Sequence, residues 1–181
     1  EPSGGMRTSA VRDGDGWVIN GTKHFIASAS VSKLYFVSAR TDKSVGVTRG
    51  VTVFLIERDT PGFTIGRIHD KLGNRLMMNA ELIFQDCRIP DFNRVSEVGK
   101  GLQFLGSFGA RHVPTTGAFG VALARAAFEY VLEYAKARVQ GGCPIIEHPT
   151  VAHRLGEMAS IIEAARAVSI QAAWGADQPE Y

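Results

Sequence analysis

The apolar residues of this chain change their spacing once, near Pro90, and that change limits the folds available to it. Before Pro90 they form short runs, such as residues 51–56, or alternate at period two, as in residues 80–84. From Gly101 onward the spacing becomes helical and alanine replaces glycine. A block of strands followed by a block of helices is typical of an α+β protein.

The first half of the chain carries strong turn signals. Residues 13–16, Asp-Gly-Asp-Gly, separate two apolar runs and predict a hairpin, because these residue types tolerate positive φ. The pair Asn20-Gly21 follows and predicts a second tight turn. Several short strands divided by such turns predict an antiparallel β-barrel or sandwich domain over residues 1–97.

The second half predicts three helical stretches. The first covers residues 101–112, Pro114 starts a second that ends near Arg138, and Pro149 starts a third that ends near Trp174. In the third stretch apolar and small residues recur at steps of four and three, and further apolar residues lie beside that seam. Two apolar faces need more than one partner, so residues 98–181 are predicted to be the first helices of an incomplete four-helix bundle.

The composition excludes several classes of function. Of the 181 residues, 45% are hydrophobic and 21% are charged, which permits a buried core and argues against disorder. Lys and Arg total 20 against 18 Asp and Glu, with no basic run, so we expect no nucleic-acid partner. No run of about 18 apolar residues occurs, so we expect no membrane span.

The two cysteines, Cys87 and Cys143, are isolated in the sequence. They form no CxxC or Cys/His spacing of the kind that binds zinc, so we expect no metal site. Without a disulfide framework they fit a reducing compartment, and we expect a cytoplasmic protein, or one of the mitochondrial matrix in a eukaryote. The chain opens at Glu1 and stops just after a helical stretch, at Tyr181, so we expect a piece of a longer polypeptide.

Motifs in a fixed order cover nearly the whole chain. Residues 16–26 fit the pattern W-x-I-N-G-x-K-x-[WF]-I, and residues 134–142 fit Y-A-x-x-R-x-Q-[FG]-G. Residues 1–5 look like the end of a Thr-Glu-Pro-Gly loop, and three further segments, residues 59–63, 71–75 and 84–90, look like later strands of the same domain. The ordered set resembles the acyl-CoA dehydrogenase family.

This resemblance implies an N-terminal helical domain that the chain lacks, a middle β-domain, and a C-terminal bundle, assembled as a homodimer or homotetramer. It implies FAD as the cofactor, an acyl-CoA thioester as the substrate, and an electron-transfer flavoprotein as the electron acceptor in fatty acid or other lipid metabolism. In that reaction a carboxylate removes the α-proton while the β-hydrogen leaves as hydride to the flavin N5.

The resemblance also assigns site residues. Phe25 and Ala27 match positions beside the isoalloxazine ring. Ala27 stands where the family often has Thr or Ser, whose hydroxyl hydrogen-bonds the flavin N5. Ala27 can offer only its backbone N–H, so Ser28, one position on, is the candidate for the hydroxyl contact. The other reading of Phe25 is a core strand residue.

The helical half supplies the remaining candidates. Arg138 matches the arginine that holds the FAD pyrophosphate, typically in the neighbouring subunit, and a guanidinium suits a phosphate. Gln140 adds a polar contact, and Gly141 departs from the common Phe. Arg111 matches an arginine near the acyl-CoA channel and is the substrate-binding candidate. A helix-end cation and a helix-start salt bridge are the structural alternatives for the two arginines.

The catalytic carboxylate is predicted to lie outside this chain, in the last third of the full-length protein. A minority of the family place a Glu directly before the equivalent of Arg111, where this chain has Ala110. We expect Glu129, Glu133 and Glu163 to be ordinary solvated or ion-paired helix residues. The alternatives are a non-catalytic subunit of a heteromeric dehydrogenase, an acyl-CoA oxidase or flavin monooxygenase on the same scaffold, and an unrelated ligand-binding barrel.

Overall fold

The structure is a computed structural model that describes residues 5–178, apart from the side chains of residues 108, 110 and 111. It divides into two compact units, the first ending at Gly106 and the second beginning at Ser107. We call them the β unit (residues 5–106) and the helical unit (residues 107–178) and describe each separately.

The β unit contains one six-stranded sheet with the strand order β4-β3-β1-β2-β6-β5. Four of its neighbouring pairs are antiparallel, but β1 and β3 run parallel and meet only at Ser9 and Arg40. The α+β class predicted from the sequence is confirmed. The strands and one short helix are β1 (Ser9–Asp13), β2 (Gly16–Ala27), β3 (Leu34–Arg40), α1 (Val47–Gly50), β4 (Val51–Glu57), β5 (Phe63–Ile68) and β6 (Asn79–Pro90).

The sheet curls over its own core. The rings of Tyr35 on β3 and Phe63 on β5 lie 4.9 Å apart, although three strands separate β3 from β5 in the sheet order. Trp17 on β2 and Phe54 on β4 likewise have ring centroids 5.3 Å apart. Contacts between such distant strands require a curled sheet, and every strand contributes buried apolar side chains to the shared core.

The first predicted turn is confirmed and the second is wrong. Asp13 pairs with Gly16 across a two-residue loop that joins β1 to β2. Asn20-Gly21 instead lies inside β2, where the pairing with β6 shifts. Gly21 has a φ of +133°, and a Cβ there would lie 2.6 Å from the Thr8 Cα. The glycine therefore serves a close approach between chain segments, which the dipeptide alone does not reveal.

The helical unit consists of two long helices joined by a small hairpin. α2 (Gly101–Ala137) begins in the β unit and continues without interruption, with Pro114 inside it. The predicted break before Pro114 is wrong, because a proline removes one backbone hydrogen bond and the residues on either side keep theirs. After α2 come β7 (Val139–Gln140), β8 (Cys143–Pro144) and α3 (Pro149–Ala176).

Most apolar side chains of α3 are exposed. Leu155 and Ile162 on the predicted seam are buried, whereas Ile161 and Val168 are 69% and 65% exposed. The pattern of two apolar faces read from the sequence is therefore present, and α2 covers only part of it. Within residues 5–178, neither long helix, nor any shorter one, combines the length and apolar content needed to cross a lipid bilayer.

Candidate functional site

A bulge near the end of β2 shapes the candidate site in the β unit. Two residues of β2, His24 and Phe25, lie opposite a single residue of β6, Glu81, because the pairing slips between the flanking rungs. Such a bulge bends the strand and re-aims the side chains of the extra residues. Phe25 adopts a φ of +56°, which is rare for a bulky side chain and often marks a functional position.

The Phe25 side chain is a fixed and exposed aromatic surface. It is 69% exposed, yet its ring stacks on His69 with centroids 4.5 Å apart and planes 22° apart. The Asn79 side-chain amide donates a 2.8 Å hydrogen bond to the Phe25 carbonyl, and its oxygen accepts one of 2.6 Å from Lys71 Nζ. These contacts hold the bulge, so its aromatic face is presented to solvent in one orientation.

The residues that end β2 continue this surface. Ala27 pairs with Asn79 and offers no side-chain donor. Ser28 follows with a φ of +56°, and its carbonyl accepts hydrogen bonds from the N–H groups of Val31 and Ser32. Within residues 5–178 the Ser28 hydroxyl has no hydrogen-bond partner. The turn thus orders the backbone and leaves one hydroxyl available beside Phe25.

Burial shifts the pKa of two groups in this unit. Burial lowers the pKa of Lys23 to about 8, although its ammonium donates a 3.2 Å hydrogen bond to Ser38 Oγ. Burial also raises the pKa of the Cys87 thiol to about 11. Cys87 is fully buried and remains a thiol at neutral pH, so it is a core residue with no nucleophilic role.

A second bulge faces the first across the same residue. On β5, Gly66 and Arg67 lie opposite Glu81, so the central strand β6 has a bulged neighbour on both sides at one position. One ligand atom each of His24, His69 and Glu81 lies within 4.8 Å of the others. Within this cluster, His24 Nδ1 lies 3.3 Å from Glu81 Oε1.

Sequence reasoning missed this cluster. His24, His69 and Glu81 lie far apart in the sequence and belong to no short ligand motif. Only the alignment of β5 and β2 against β6 brings them together, and that alignment depends on both bulges. An alternation pattern places Glu81 on one face of β6, but it does not say which residues of the neighbouring strands lie beside it.

The other candidates lie in the helical unit, in the hairpin after α2. Arg138 follows the last helical residue; its N–H donates to the Tyr134 carbonyl at 2.8 Å and its carbonyl accepts from the Ile145 N–H at 2.8 Å. Among the residues that the structure describes, its guanidinium has no hydrogen-bond or ion-pair partner. The backbone is therefore fixed while the charged group is exposed and available.

The hairpin turn is formed by Gly141 and Gly142, with φ of +66° and +87°. The Gln140 carbonyl lies 2.9 Å from His148 Nε2, and a Cβ on Gly141 would lie 3.4 Å from the same imidazole. A Phe at position 141 would have to share this space with His148. In this chain, the imidazole of His148 therefore lies next to Gly141, where the family commonly has Phe.

The structure tests the predicted ion pairs of the helix acids but not the predicted role of Arg111. The side chain of Arg111 lies outside the described residues, so its substrate role stays a prediction. The expectation of ion-paired helix acids is confirmed, since Glu129 pairs with Arg125 at 2.7 Å and Glu163 with Arg166 at 2.8 Å. Glu133 likewise lies 2.7 Å from a lysine one turn away.

Two grooves run along the helical unit between α2 and α3. One has a volume of about 640 Å³ and contains Ala118, Ala122 and Ala173 among its lining residues. The other, of about 580 Å³, is lined by small residues such as Gly117, Gly120 and Ala165 together with Ile161. Small residues along a helix permit close approach of another helix, which fits the predicted bundle.

The β unit, followed by two long helices with Arg138 in the hairpin that joins them, corresponds to two consecutive domains of one protein family. Residues 2–87 match the family model described as acyl-CoA dehydrogenase, middle domain, and residues 99–180 match the acyl-CoA dehydrogenase, C-terminal domain. The chain belongs to the acyl-CoA dehydrogenase family.

Individual relatives agree with the family models. The chain is 38% identical over 175 residues to a short-chain specific acyl-CoA dehydrogenase of Megasphaera elsdenii, covering 93% of the chain and 44% of that protein. It is 34% identical over 168 residues to a cyclohexane-1-carbonyl-CoA dehydrogenase of Syntrophus aciditrophicus, with the same two coverages. The chain therefore spans less than half the length of these curated relatives.

A solved structure gives the same result in three dimensions. The butyryl-CoA dehydrogenase of Megasphaera elsdenii superimposes with a TM-score of 0.82 at 36% identity, covering 96% of this chain and 46% of that one. Both units are thus found together, in this order, in a longer protein.

Proposed function

We propose that the full-length protein is an FAD-dependent acyl-CoA dehydrogenase, to which this chain contributes the middle β-domain and the first helices of the C-terminal bundle. Family membership supports the class of reaction. The observation that carries the proposal in this chain is the bulge at Phe25, which presents an exposed aromatic ring stacked on His69.

The described residues fit the chemical parts of FAD. An exposed aromatic face suits stacking against a planar isoalloxazine ring, and Phe25 offers one that is braced from behind by His69. The Ser28 hydroxyl can donate to a polar edge of that ring, while Ala27 can offer only its backbone. A diphosphate requires paired cationic donors, and the Arg138 guanidinium has no partner among residues 5–178.

The bound cofactor would accept the β-hydrogen of the acyl-CoA substrate as hydride. Phe25 would fix the plane of the ring, and Ser28 would orient its edge. Arg138, with Gln140 and Gly141 in the same hairpin, would neutralise and position the diphosphate. Arg111 would meet the thioester or CoA, and the carboxylate that removes the α-proton would come from chain beyond residue 181.

Further partners follow from the family. We propose acyl-CoA as the substrate class, an electron-transfer flavoprotein as the electron acceptor, and a homodimer or homotetramer in which the helical unit meets another copy. The exposed apolar side chains of α2 and α3 support such an assembly, because contiguous apolar surface marks sites of association. We also propose a location in the cytoplasm, or in the mitochondrial matrix of a eukaryote.

The test uses the full-length protein. We expect a flavin absorbance spectrum that bleaches on addition of a short-chain acyl-CoA without air reoxidation, and that recovers with an electron-transfer flavoprotein. Rapid reoxidation by oxygen would instead indicate an oxidase. A spectrum without flavin, after reconstitution with FAD, would rule out the proposal.

Two variants locate the cofactor contacts. Phe25→Ala should weaken FAD binding by about 10-fold, since a stacked aromatic contributes on the order of 1 kcal/mol beyond its buried area. Arg138→Ala should weaken it by about 10- to 100-fold, because it removes a charge-assisted contact. The matched controls are Phe92→Ala, an exposed aromatic of the same unit, and Arg154→Ala on α3, both expected to leave FAD affinity unchanged.

A further inference from the structure

We propose that His24, His69 and Glu81 form a binding site for a divalent transition-metal ion, with Zn²⁺ as the best-matched occupant. One nitrogen from each imidazole and one carboxylate oxygen lie within 4.8 Å of one another. Zinc binds such atoms at about 2.0–2.2 Å, so ligands of one ion lie up to about 4 Å apart. His24 and Glu81 already lie within this range, with Nδ1 and Oε1 3.3 Å apart, and the ion would draw the His69 nitrogen and the partly exposed Glu81 carboxylate together.

The backbone explains why these three side chains converge. They come from three adjacent strands or strand ends: His24 from β2, Glu81 from β6, and His69 from the residue after β5. The bulges of β2 and β5, the two strands that flank β6, both lie opposite Glu81. A bulge changes the direction of the side chains around it. Because both bulges lie opposite Glu81, they bring three side chains together that a regular sheet would keep apart.

His69 carries an unsatisfied polar atom. Its Nε2 is buried and has no hydrogen-bond partner among the residues that the structure describes. Buried polar atoms are nearly always paired, and a bound ion or water is one explanation of an exception. The residue is otherwise well held, because its N–H donates to the Asn79 carbonyl at 2.8 Å and its ring stacks on Phe25. A metal ion or its bound water would satisfy the free nitrogen.

Glu81 is also braced in the manner of a metal ligand. Its Oε2 lies 3.4 Å from the Arg67 N–H, and Oε1 faces His24. A Cβ on Gly66 would lie 2.9 Å from Oε2, so a larger residue there would force the carboxylate to shift. A second contact of this type fixes the orientation of a ligating group and is a common feature of metal sites.

The ligand set selects the class of metal. Two imidazoles and one carboxylate favour Zn²⁺ and its borderline neighbours over Mg²⁺ and Ca²⁺, which prefer oxygen ligands in larger number. Three protein ligands leave a further position for water or a small ligand. The site rests on the three side chains and their strands alone, so it does not depend on the proposed flavin function.

The experiment titrates Zn²⁺ into the chelator-treated full-length protein at pH 7.5, with a chromophoric chelator as competitor. We expect one ion per chain. Glu81→Gln and His69→Ala should each weaken binding by more than about 100-fold, because losing even an outer partner of a metal ligand costs about 10- to 100-fold. Co²⁺ should give the absorption of a four- or five-coordinate ion in the wild type and lose it in both variants.

The matched control is His153→Ala. His153 Nε2 lies 3.6 Å from Glu157 Oε1 on α3, which gives an exposed His/Glu pair with no second imidazole, so its loss should leave Zn²⁺ affinity unchanged. Near-isosteric Glu81→Gln guards against misfolding, and an unchanged emission of buried Trp17 verifies the fold. Absence of Zn²⁺ binding, or equal affinity in wild type and Glu81→Gln, overturns the proposal.

Discussion

The β unit encloses a large cluster of buried apolar side chains, whereas the helical unit leaves most of its own in contact with solvent. The buried core cluster lies entirely within strands and turns of the β unit. In α2 and α3, buried apolar residues are few, and exposed ones include Phe119, Leu123 and Trp174. Burial of apolar area is the main source of folding free energy, so the two units differ in how far they can stabilise themselves.

The two units therefore differ in the source of their stability: the β unit is stabilised by its own core, and the helical unit depends on further packing partners. The β unit needs no partner to close its core. The helical unit has paired two helices and still exposes two grooves of about 640 and 580 Å³. We therefore expect the 181-residue chain to lose its helical circular-dichroism signal at a lower urea concentration than it loses the buried environment of Trp17.

The largest effect should come from removing one aromatic from each unit. Phe54 is fully buried and Phe119 is 67% exposed. Phe54→Ala should destabilise the β unit by about 3–5 kcal/mol, and Phe119→Ala should change stability by less than about 0.5 kcal/mol. Urea unfolding measures both, with Trp17 fluorescence in a Trp174→Phe background for Phe54→Ala and the helical circular-dichroism signal for Phe119→Ala. Similar costs for the two would contradict the contrast between the units.

The next effect compares one glycine from each unit. Gly21→Ala should cost about 2–3 kcal/mol, because an alanine is strained at φ +133° and its Cβ would meet the backbone of Thr8. Gly120 in α2 has no atom within 4 Å of a would-be Cβ, so Gly120→Ala should stabilise the isolated chain by about 0.5–1 kcal/mol. Thermal unfolding monitored by circular dichroism gives both signs.

The same helical substitution sharpens the comparison in the full-length protein. If a further helix packs into the groove at Gly120, the alanine methyl will clash there, and the stabilisation seen in the isolated chain will be lost. A gain of equal size in both contexts would show that this groove stays open.

The last comparison concerns pH and lies wholly within the β unit. The folded pKa of Lys23 is about 8, below its ordinary value, so between about pH 8 and 10 the unfolded chain binds more protons than the folded one. Stability should therefore rise with pH across this window. Lys23→Met should remove that rise and be at least as stable as wild type at pH 7. A parallel pH profile in the variant would contradict the burial of this ammonium.

The local elements were predictable from the sequence. The hairpin at residues 13–16 depends on two turn residues, and the start of α3 at Pro149 depends on one proline. The errors share a cause. Asn20-Gly21 has the composition of a turn, yet a distant segment at Thr8 decides its conformation. Pro114 has the composition of a helix start, yet the helix continues through it.

The candidate site divides in the same way. Phe25 and Arg138 were identified because each belongs to a continuous motif. The cluster of His24, His69 and Glu81 was not, since it depends on how three strands align, and strand alignment across bulges is a property of the assembled sheet. A local sequence motif identifies residues that lie close together in the sequence. It gives little information about residues that only strand pairing brings together.

The paired bulges have one more consequence, for the lengths of chain that this sheet can accept. Each extra residue changes the phase of side-chain alternation along its own strand. Removing one residue from β2 at this point would restore an even ladder with Ile26 still opposite Ala80, so the strand beyond would keep its face and the bulge that presents Phe25 would be lost. A single insertion or deletion there would therefore change which side chains lie beside Glu81, whereas a substitution would leave the pairing of the three strands in place.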